Sequence, residues 1–433
     1  MNIVYLHTHD TGRYIQPYGY AVLTPHLMKL AEEGTLFRQA YTAAPTCSPS
    51  RAALLTGSAP HSNGMLGLTH RGFLLHDYGQ HLAAFLHANG FDTALCGVQH
   101  EAPERTMLPY GQFLDAELTD AYEHEDISHA HRAAAFIQEE REKPFFLSLG
   151  LFNTHREFPE TDPEVNPNYV QPPYPFADTR QNREDMAAYI SSAKLMDRCV
   201  GIVMEALKQS GKEESTLVIF TTDHGIAFPH MKCSLYDTGI GVVLLMKKPG
   251  AVRAGHAEDA LVSQIDLFPT ICELLQLRKP DHLQGVSLLP LLQGTAEKVR
   301  DEVFAEVTFH AAYEPLRCIR TERYKLIRWF DEHDRPVPAN IDDSPSKAFL
   351  VEHGLLEERR DSEALYDLYL DPVERVNVVR KERYEKVYQE LSDRLLAWME
   401  QTGDPLLKGR VPIPEGARIN KSSCISNRMN DYE

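Results

Sequence analysis

Short apolar runs rich in Val, Ile, Leu and Phe alternate along the chain with longer stretches of helical spacing, and this alternation limits the fold more than any other feature. An uninterrupted apolar run of this length indicates a strand that is buried on both faces. Strands that are joined through helices run parallel. The pattern therefore predicts an α/β fold with a mostly parallel central sheet flanked by helices. The clearest strands are predicted at residues 3–6, 93–96, 145–151, 217–221 and 242–246.

Three helices are predicted in the same part of the chain. Pro25–Glu33 has helical spacing, with Thr24 as its N-cap and Gly34 as its stop. Two further helices are predicted at residues 183–209 and 266–275.

Polar side chains that could take part in catalysis or ligand binding come directly after several predicted strands. Because the carboxyl ends of parallel strands meet at one edge of the sheet, where ligands bind in open α/β folds, we expect these residues to converge. They are His9, Asp10, residues 97–100, residues 153–155, Asp223 and His224.

The length and a change of pattern predict two domains. With 433 residues the chain exceeds the usual size of one hydrophobic core. We predict a catalytic domain over residues 1–300 and a smaller α+β domain over residues 301–433, with a small antiparallel sheet and a closing helix. The smaller domain is predicted to contain strands at residues 318–330 and 364–370, a helix at 382–401 and a long polar loop at 331–354.

The charge limits the partners of the chain. Lys and Arg total 44 against 62 Asp and Glu, so the net charge is 44 − 62 = −18. This balance argues against a nucleic acid or an anionic membrane as a partner. An anionic substrate must therefore be attracted by a local group of cations or by a metal ion.

No apolar run is long enough to span a bilayer, and no signal-peptide pattern precedes the first predicted strand. We expect a soluble cytoplasmic protein, although a secreted or periplasmic chain that had lost its signal would begin in the same way.

One of the seven cysteines stands apart from the others. An odd number of scattered cysteines does not indicate a disulfide framework or a zinc cluster. Cys47, however, begins the string Cys47-Ser48-Pro49-Ser50-Arg51, which Ala-Ala-Leu-Leu-Thr-Gly follows. In a short helix, the side chains of Cys47 and Arg51 would share one face.

This string resembles the sulfatase signature C-x-P-x-R followed by L-L-T-G, and other landmarks of that family occur in order over nearly the whole chain. The chain is therefore identified as a member of the sulfatase family. Landmarks are the helix 24–34, the second metal loop 220–225, and Leu365-Tyr366-Asp367-Leu368 with Asp371-Pro372 and Asn377. The strings 61–65, 97–104 and 221–229 look closest to the sulfamidase branch.

The resemblance implies an alkaline-phosphatase-like fold and a nucleophile made from Cys47 by a formylglycine-generating enzyme. A thiolate attacking sulfur would leave a stable thiosulfate adduct. In the hydrated aldehyde of formylglycine, one hydroxyl attacks sulfur and the other is later deprotonated, which reforms the aldehyde and expels sulfate.

The resemblance also implies the remaining site residues. Asp10, Asp223 and His224 would bind one divalent metal together with the modified Cys47, and the metal would lower the pKa of the attacking hydroxyl. Arg51 would hold the diol.

Three further catalytic residues are implied in the same way. His100 and His155 would assist the nucleophile and protonate the leaving group, and Lys232, eight residues after His224, would contact the sulfate. His61 and His70 are candidates for the border of the substrate pocket.

Two positions depart from the family pattern. His9 stands where an aspartate is usual, and Val98 stands where a lysine is usual. The missing lysine removes one positive charge near the transferring group. Calcium is the expected metal, but an imidazole in the first metal loop favours manganese or zinc as alternatives.

We therefore predict a sulfatase that acts on a sulfated carbohydrate, with N-sulfated glucosamine as the leading substrate. A phosphonate or phosphate monoester hydrolase of the same superfamily is one alternative, and a catalytically silent relative that binds sulfated glycans is another. The sequence leaves the sugar, the position of the sulfate and the oligomeric state open.

Overall fold

A mixed sheet forms the centre of the molecule. The computed structural model describes residues 1–115, 122–250 and 253–433. The strands that form the large sheet in these ranges are β1 (Asn2–Thr8), β2 (Thr35–Tyr41), β3 (Asp92–Gly97), β4 (Gln112–Leu114), β5 (Phe145–Gly150), β6 (Thr216–Thr222), β7 (Leu244–Lys247) and β8 (His256–Ser263). Their order is β4-β3-β5-β1-β6-β7-β2-β8. Only β7, among the described strands of this sheet, pairs antiparallel, which confirms the predicted mostly parallel sheet.

The predicted strands correspond to β1, β3, β5, β6 and β7, and only the last is displaced. The sequence predicts this strand at residues 242–246, but β7 covers Leu244–Lys247. The two earlier residues bond elsewhere, because Val242 N donates to Ala40 O and Val243 N donates to Gly12 O. The backbone therefore joins the ladder with β6 two residues later than predicted.

Helices cover both faces of the large sheet. Along β1, Val4 and Leu6 pack into one core while Ile3 and Tyr5 pack into another, as expected for a strand buried on both faces. The α-helices in the described ranges are α1 (Pro25–Glu33), α2 (Cys47–Thr56), α3 (Pro60–Asn63), α4 (Leu82–Ala88), α5 (Tyr122–Gln138), α6 (Arg180–Gln209), α7 (Asp237–Ile240), α8 (Leu267–Leu274), α9 (Leu289–Gln293), α10 (Pro345–Glu352) and α11 (Glu385–Thr402). Among the helices described, none is long and apolar enough to cross a membrane.

The bounds of α1 agree with the prediction, but its predicted cap does not. Thr24 occupies the N-cap position without capping the helix, because its hydroxyl accepts a hydrogen bond from Gln16 N instead. Helix α6 begins three residues earlier than predicted, since Thr179 caps it by accepting a hydrogen bond from Asn182 N.

A small antiparallel sheet follows the large one along the chain. Its strands are β9 (Glu302–Phe309), β10 (Tyr313–Thr321), β11 (Tyr324–Trp329) and β12 (Glu363–Asp367), in the order β12-β11-β10-β9. The prediction of a strand over residues 318–330 is wrong, because the chain turns after Thr321, whose hydroxyl bonds the backbone of Tyr324. Helix α11 packs Leu391 and Leu395 against this sheet. The domain boundary at residue 300 stays a prediction.

The prediction of a long loop over residues 331–354 is also wrong. Helix α10 lies within it, and Ser344 caps that helix by accepting a hydrogen bond from Lys347 N. Ser346 Oγ donates to the buried carboxylate of Asp185 on α6 at 2.6 Å. This segment is thus fastened to the large sheet's helical layer, and it brings Asp342 to the carboxyl edge.

Candidate active site

The loops that follow β1, β3, β5 and β6 meet at one edge of the large sheet. These strands are neighbours in the order β3-β5-β1-β6 and run parallel, so their carboxyl ends lie side by side. The polar residues that follow them are therefore brought together, as the sequence predicts.

Helix α2 inserts into this edge with its first residue, Cys47. Every residue of the helix is buried, and Ser50 Oγ donates to the backbone carbonyl of Asp223 at 2.6 Å. The helix is thereby fixed against the loop after β6. Its N-terminus, with free backbone N–H groups and the positive end of the helix dipole, favours an anion beside Cys47.

Arg51 lies one helical turn after Cys47, entirely within the protein. One Nη atom donates to Thr8 O at 2.9 Å and to Asp223 Oδ2 at 3.1 Å. The other Nη atom bonds His7 Nδ1. Arg51 therefore ties the ends of β1 and β6 to α2, and it brings a fixed positive charge into the site.

Cys47 is only 2% exposed, and its Sγ atom lies 3.4 Å from His224 Nε2. Burial raises the pKa of the thiol well above its ordinary value. An unmodified Cys47 is therefore held as the neutral thiol, which is a poor nucleophile. The Sγ position marks where the oxygens of a formylglycine side chain would lie.

Asp10 has a left-handed backbone conformation with φ of +51°, which is strained for a residue with a side chain. The conformation turns its carboxylate into the cluster. Oδ2 accepts a hydrogen bond from Lys232 Nζ at 2.9 Å, and Oδ1 lies 3.3 Å from His224 Nε2.

Asp223 joins the two metal loops. Its Oδ1 accepts hydrogen bonds from Asp10 N at 2.8 Å and from His224 N at 2.9 Å, while Oδ2 contacts Arg51 and His9 Nδ1. Although burial opposes ionisation, His224 and Arg51 hold the pKa of Asp223 well below its ordinary value. The residue is therefore an anion in the folded protein.

The donor set fits a divalent cation. Ligand atoms of Asp10, Cys47, Asp223 and His224 all lie within 4.8 Å of one another. Among the described residues, Asp10 Oδ1 is buried and has no hydrogen-bond partner. Such an orphaned carboxylate oxygen is costly unless a cation or a proton satisfies it. The four predicted metal ligands are thus brought together, and one carboxylate oxygen among them has no hydrogen bond.

His9 borders the same cluster. Its ligand atom and those of Asp10, Cys47 and His155 form a second group with the same 4.8 Å limit. Burial lowers the pKa of His9 well below its ordinary value, and the charge of Arg51 lowers it further. A neutral imidazole is the form that binds metals. His9 is therefore a candidate fifth ligand.

Lys232 reaches the cluster from the loop after β6. Although burial opposes its charge, the carboxylates of Asp10 and Asp342 hold the pKa of Lys232 well above its ordinary value. His230 and Cys233, on either side, have φ values of +62° and +64°. The loop is therefore strained at the points that aim this lysine inward.

His100 and His155 lie at the open side of the cluster. His155 Nε2 is 3.5 Å from Lys232 Nζ, and its Nδ1 bonds the carbonyl of Arg156. His100 Nε2 is 2.9 Å from Nδ1 of His70, and the two rings stack. Burial lowers the pKa of His100 well below its ordinary value, so this ring is neutral.

The other candidate for the pocket border, His61, is placed elsewhere. It is buried in a network with Glu306 and Thr402, which joins α3 to the small sheet and to α11. Sequence reasoning also missed two residues of the site. Asp342 pairs with Lys232 at 2.8 Å. The charges of these two residues shift the pKa of the buried His310 in opposite directions. No local pattern distinguishes either residue, because each is brought to the site by long-range packing.

A family model described as Sulfatase matches residues 1–277. The chain belongs to the sulfatase family. A second model, described as N-sulphoglucosamine sulphohydrolase, C-terminal, matches residues 226–347 of this sulfatase. The sulfatase is 30% identical to human N-sulphoglucosamine sulphohydrolase, over 93% of this chain and 89% of the relative. The predicted family, its sulfamidase-like character and the predicted enzyme class, a sulfuric ester hydrolase, are confirmed.

Two solved structures show the same fold. A structure described as a complex with its substrate D-glucosamine-2-N,6-O-disulfate has a TM-score of 0.69 at 19% identity, covering 93% of the sulfatase and 98% of that chain. Phosphonate monoester hydrolase of Agrobacterium radiobacter has a TM-score of 0.67 at 20% identity, covering 96% and 98%. The predicted alkaline-phosphatase-like α/β fold is confirmed.

Proposed function

We propose that this sulfatase removes sulfate from a sulfate ester or sulfamate on a carbohydrate, with N-sulfated glucosamine as the first substrate to test. The observation that carries the proposal is Cys47 at the buried N-terminus of α2, within one cluster with Asp10, Asp223 and His224. The name of the human relative and the substrate of the structural neighbour support the choice of sugar.

The nucleophile in this proposal is formylglycine, which a formylglycine-generating enzyme makes from Cys47. One hydroxyl of the hydrated aldehyde attacks sulfur, and the bond from sulfur to the sugar nitrogen or oxygen breaks, leaving its electron pair on the sugar. The second hydroxyl then loses its proton, the aldehyde reforms and sulfate leaves. The raised pKa of the buried thiol supports the need for the modification.

Arg51 and Lys232 supply the fixed positive charges. Arg51 is held by Thr8 and Asp223, so it stabilises negative charge at the diol without having to move. Lys232 donates a hydrogen bond to Asp10 Oδ2, which holds it at the cluster, where it would contact sulfate oxygens as the substrate enters. Because Val98 stands where a lysine is usual, Arg51 and Lys232 are the two side chains that stabilise the negative charge of the diol and the sulfate.

The metal in this proposal is one divalent ion, bound by Asp10, Asp223, His224 and the modified Cys47. When bound, it lowers the pKa of the attacking hydroxyl and neutralises sulfate oxygens. Calcium remains the expected ion because carboxylate oxygens suit it. The imidazoles of His9 and His224 favour manganese and zinc as alternatives, and metal analysis of the purified protein decides among them.

His155 and His100 handle protons in this proposal. His155 Nδ1 bonds a backbone carbonyl, which leaves Nε2 aimed toward the cluster. From there it can donate a proton to the departing sugar nitrogen or oxygen. The lowered pKa of His100 keeps its ring neutral, so in this proposal it assists the nucleophile through hydrogen bonds and does not act as the proton donor.

The test is hydrolysis of a panel of sulfated mono- and disaccharides, together with a phosphonate monoester. Protein is made with a formylglycine-generating enzyme, and the peptide that contains Cys47 should be about 18 Da lighter than unmodified peptide. The peptide of Cys233, a neighbouring cysteine outside the C-x-P-x-R string, is the control. Full activity with an unmodified Cys47 would refute the mechanism. Faster cleavage of the phosphonate would favour the alternative hydrolase, and binding without turnover would favour a silent glycan-binding relative.

A further inference from the structure

A cavity of about 560 Å³ lies beside the loop that follows β6, apart from the cluster around Cys47. Its volume is in the range of small-molecule binding sites, which is roughly 300–1,000 Å³. The segment 225–241 borders both the cluster and the cavity. Lys232 lies in the cluster, whereas His230 and Tyr236 line the cavity. None of the proposed catalytic or metal-binding residues lines the cavity.

Six aromatic side chains contribute to the walls of this cavity, among charged ones. They are Tyr14, Tyr20, Tyr174, Tyr236, Trp329 and Tyr366. Tyr20 is 43% exposed and Tyr174 is 59% exposed, so both rings are accessible to a ligand. Exposed aromatic faces at the mouth of a cavity suit the apolar face of a sugar ring.

Charged and amide side chains lie among these rings. Asp237 and Glu374 line the cavity, but the buried Lys325 pairs with both, at 2.5 Å and 2.7 Å. Arg360 stacks on Trp329 and pairs with an aspartate. Arg320 also pairs with Asp237, at 3.2 Å, so two cations match the two carboxylates. These paired groups present hydrogen-bonding atoms to a ligand without a net charge, which suits hydroxyl groups.

Arg375 is not paired in this way. It lines the cavity, is exposed, and forms neither an ion pair nor a hydrogen bond with any residue in the described ranges. A guanidinium without a partner at the mouth of a cavity is a natural site for a sulfate or carboxylate group. Four arginines and four carboxylates line the cavity, the exposed Glu358 among them, so the lining is balanced in charge although the whole chain has a net charge of −18.

We propose that this cavity is a second, non-catalytic binding site for a sulfated oligosaccharide. Sugar rings stack on Tyr20 and Tyr174, and one anionic group binds Arg375. The choice of a sulfated ligand rests on the proposed function. Binding here would hold a longer glycan on the enzyme and raise the concentration of its cleavable end near the cluster.

The two tryptophans make a direct test possible. Trp329 lines the cavity, whereas Trp398 lies on α11 and stacks on Phe304. In the full-length protein with Trp398→Phe and Cys47→Ala, the remaining tryptophan reports on the cavity and turnover is prevented. The probes are a heparin-derived tetrasaccharide and the same tetrasaccharide after chemical desulfation. Calorimetric titration of the single Cys47→Ala protein gives the same affinities without the Trp398 substitution.

We expect the sulfated tetrasaccharide to change the fluorescence of Trp329 saturably. Arg375→Glu and Tyr174→Ala should each weaken its binding at least tenfold. Two exposed residues outside the cavity provide matched controls, and Arg278→Glu and Tyr169→Ala should leave the affinity unchanged. The proposal is overturned by the absence of saturable binding, by equal affinity of the cavity variants, or by equally tight binding of the desulfated probe.

Activity separates this proposal from the proposed function. With Cys47 intact, Arg375→Glu should hydrolyse a sulfated monosaccharide at the wild-type rate, because Arg375 is outside the cluster. A wild-type enzyme that binds the tetrasaccharide but cleaves no sulfate would refute the proposed function and leave the binding site standing. An active enzyme that does not bind the tetrasaccharide in the cavity would refute the second binding site and leave the proposed function standing.

Discussion

The ammonium group of Lys232 and the carboxylate of Asp342 form an ion pair of 2.8 Å at the edge of the catalytic cluster. Lys232 comes from the loop after β6, and Asp342 comes from the segment before α10. The second carboxylate on this lysine is that of Asp10, at 2.9 Å. A cation shared between two carboxylates is held in place, and part of its charge is neutralised before any substrate binds.

Lys232→Ala should lower turnover by at least about a hundredfold, because one preorganised contact to developing negative charge is worth about 3 kcal/mol. The variant should be compared with the wild-type enzyme under saturating metal on the best sulfated sugar. Lys29→Ala, at an exposed lysine on α1, is the control. Near-normal turnover of Lys232→Ala would mean that another residue neutralises the sulfate.

Asp342→Asn should make inorganic sulfate a stronger inhibitor. Removing the carboxylate frees the charge of Lys232 and removes a repulsive charge near the expected sulfate, so we expect the inhibition constant to fall about tenfold. Asp343→Asn is a close control, because Asp343 pairs with Lys347 instead. Equal inhibition of both variants would show that Asp342 does not compete with the sulfate for Lys232.

Asp223→Asn and His224→Ala should each lose metal and activity together. Asn keeps an oxygen that accepts the hydrogen bonds from Asp10 N and His224 N, so the fold should survive the loss of charge. Metal can be counted by mass spectrometry of the purified proteins. His353→Ala, at an exposed histidine directly after α10, should keep its metal. Full metal and full rate in either test variant would refute the ligand assignment of that residue.

His9→Asp should shift the metal preference toward calcium. The substitution replaces a neutral nitrogen donor beside Asp10 and Cys47 with a charged oxygen donor, which calcium prefers over imidazole. Protein stripped of metal is reloaded in equal calcium and zinc, and the bound ratio is measured. The same calcium-to-zinc ratio in variant and wild type would show that His9 does not contribute to ion choice.

Features that depend on local sequence were predictable. The apolar run of β1 and the polar residues that follow it required only strand periodicity and the edge rule for parallel sheets. Cys47 and Arg51 required only helical spacing and the family string. In each case the residues that decide the structure are within about one helical turn or one strand of each other.

Features that depend on distant packing were not predictable in the same way. Asp342 lies in the site because Ser344 caps α10 and Ser346 bonds Asp185 on α6. No sequence pattern around Asp342 indicates either contact. The same kind of distant packing explains why His61 does not lie at the predicted pocket border. Its partner Glu306 is on β9, so its burial follows from how α3 meets the small sheet.

Glu314 gives a prediction about stability rather than catalysis. It accepts a hydrogen bond from Asn340 Nδ2 at 2.9 Å, and burial raises the pKa of its carboxyl to about 7, from an ordinary value of 4.5. Between these two values the folded protein binds a proton that the unfolded chain does not. The contribution of Glu314 to stability therefore falls as the pH rises through this window, and it stays low above pH 7.

Glu314→Gln should remove this dependence, because the amide oxygen can still accept from Asn340 and carries no charge. The free energies of unfolding of variant and wild type should be similar near the acid end of the window. The variant should then gain on the wild type as the pH rises, up to about 3 kcal/mol above pH 7. Glu332→Gln, at an exposed glutamate, should show no such gain. Denaturant titrations across the window measure the difference directly, and parallel curves for Glu314→Gln and wild type would show that the carboxyl of Glu314 ionises as readily in the folded protein as in the unfolded chain.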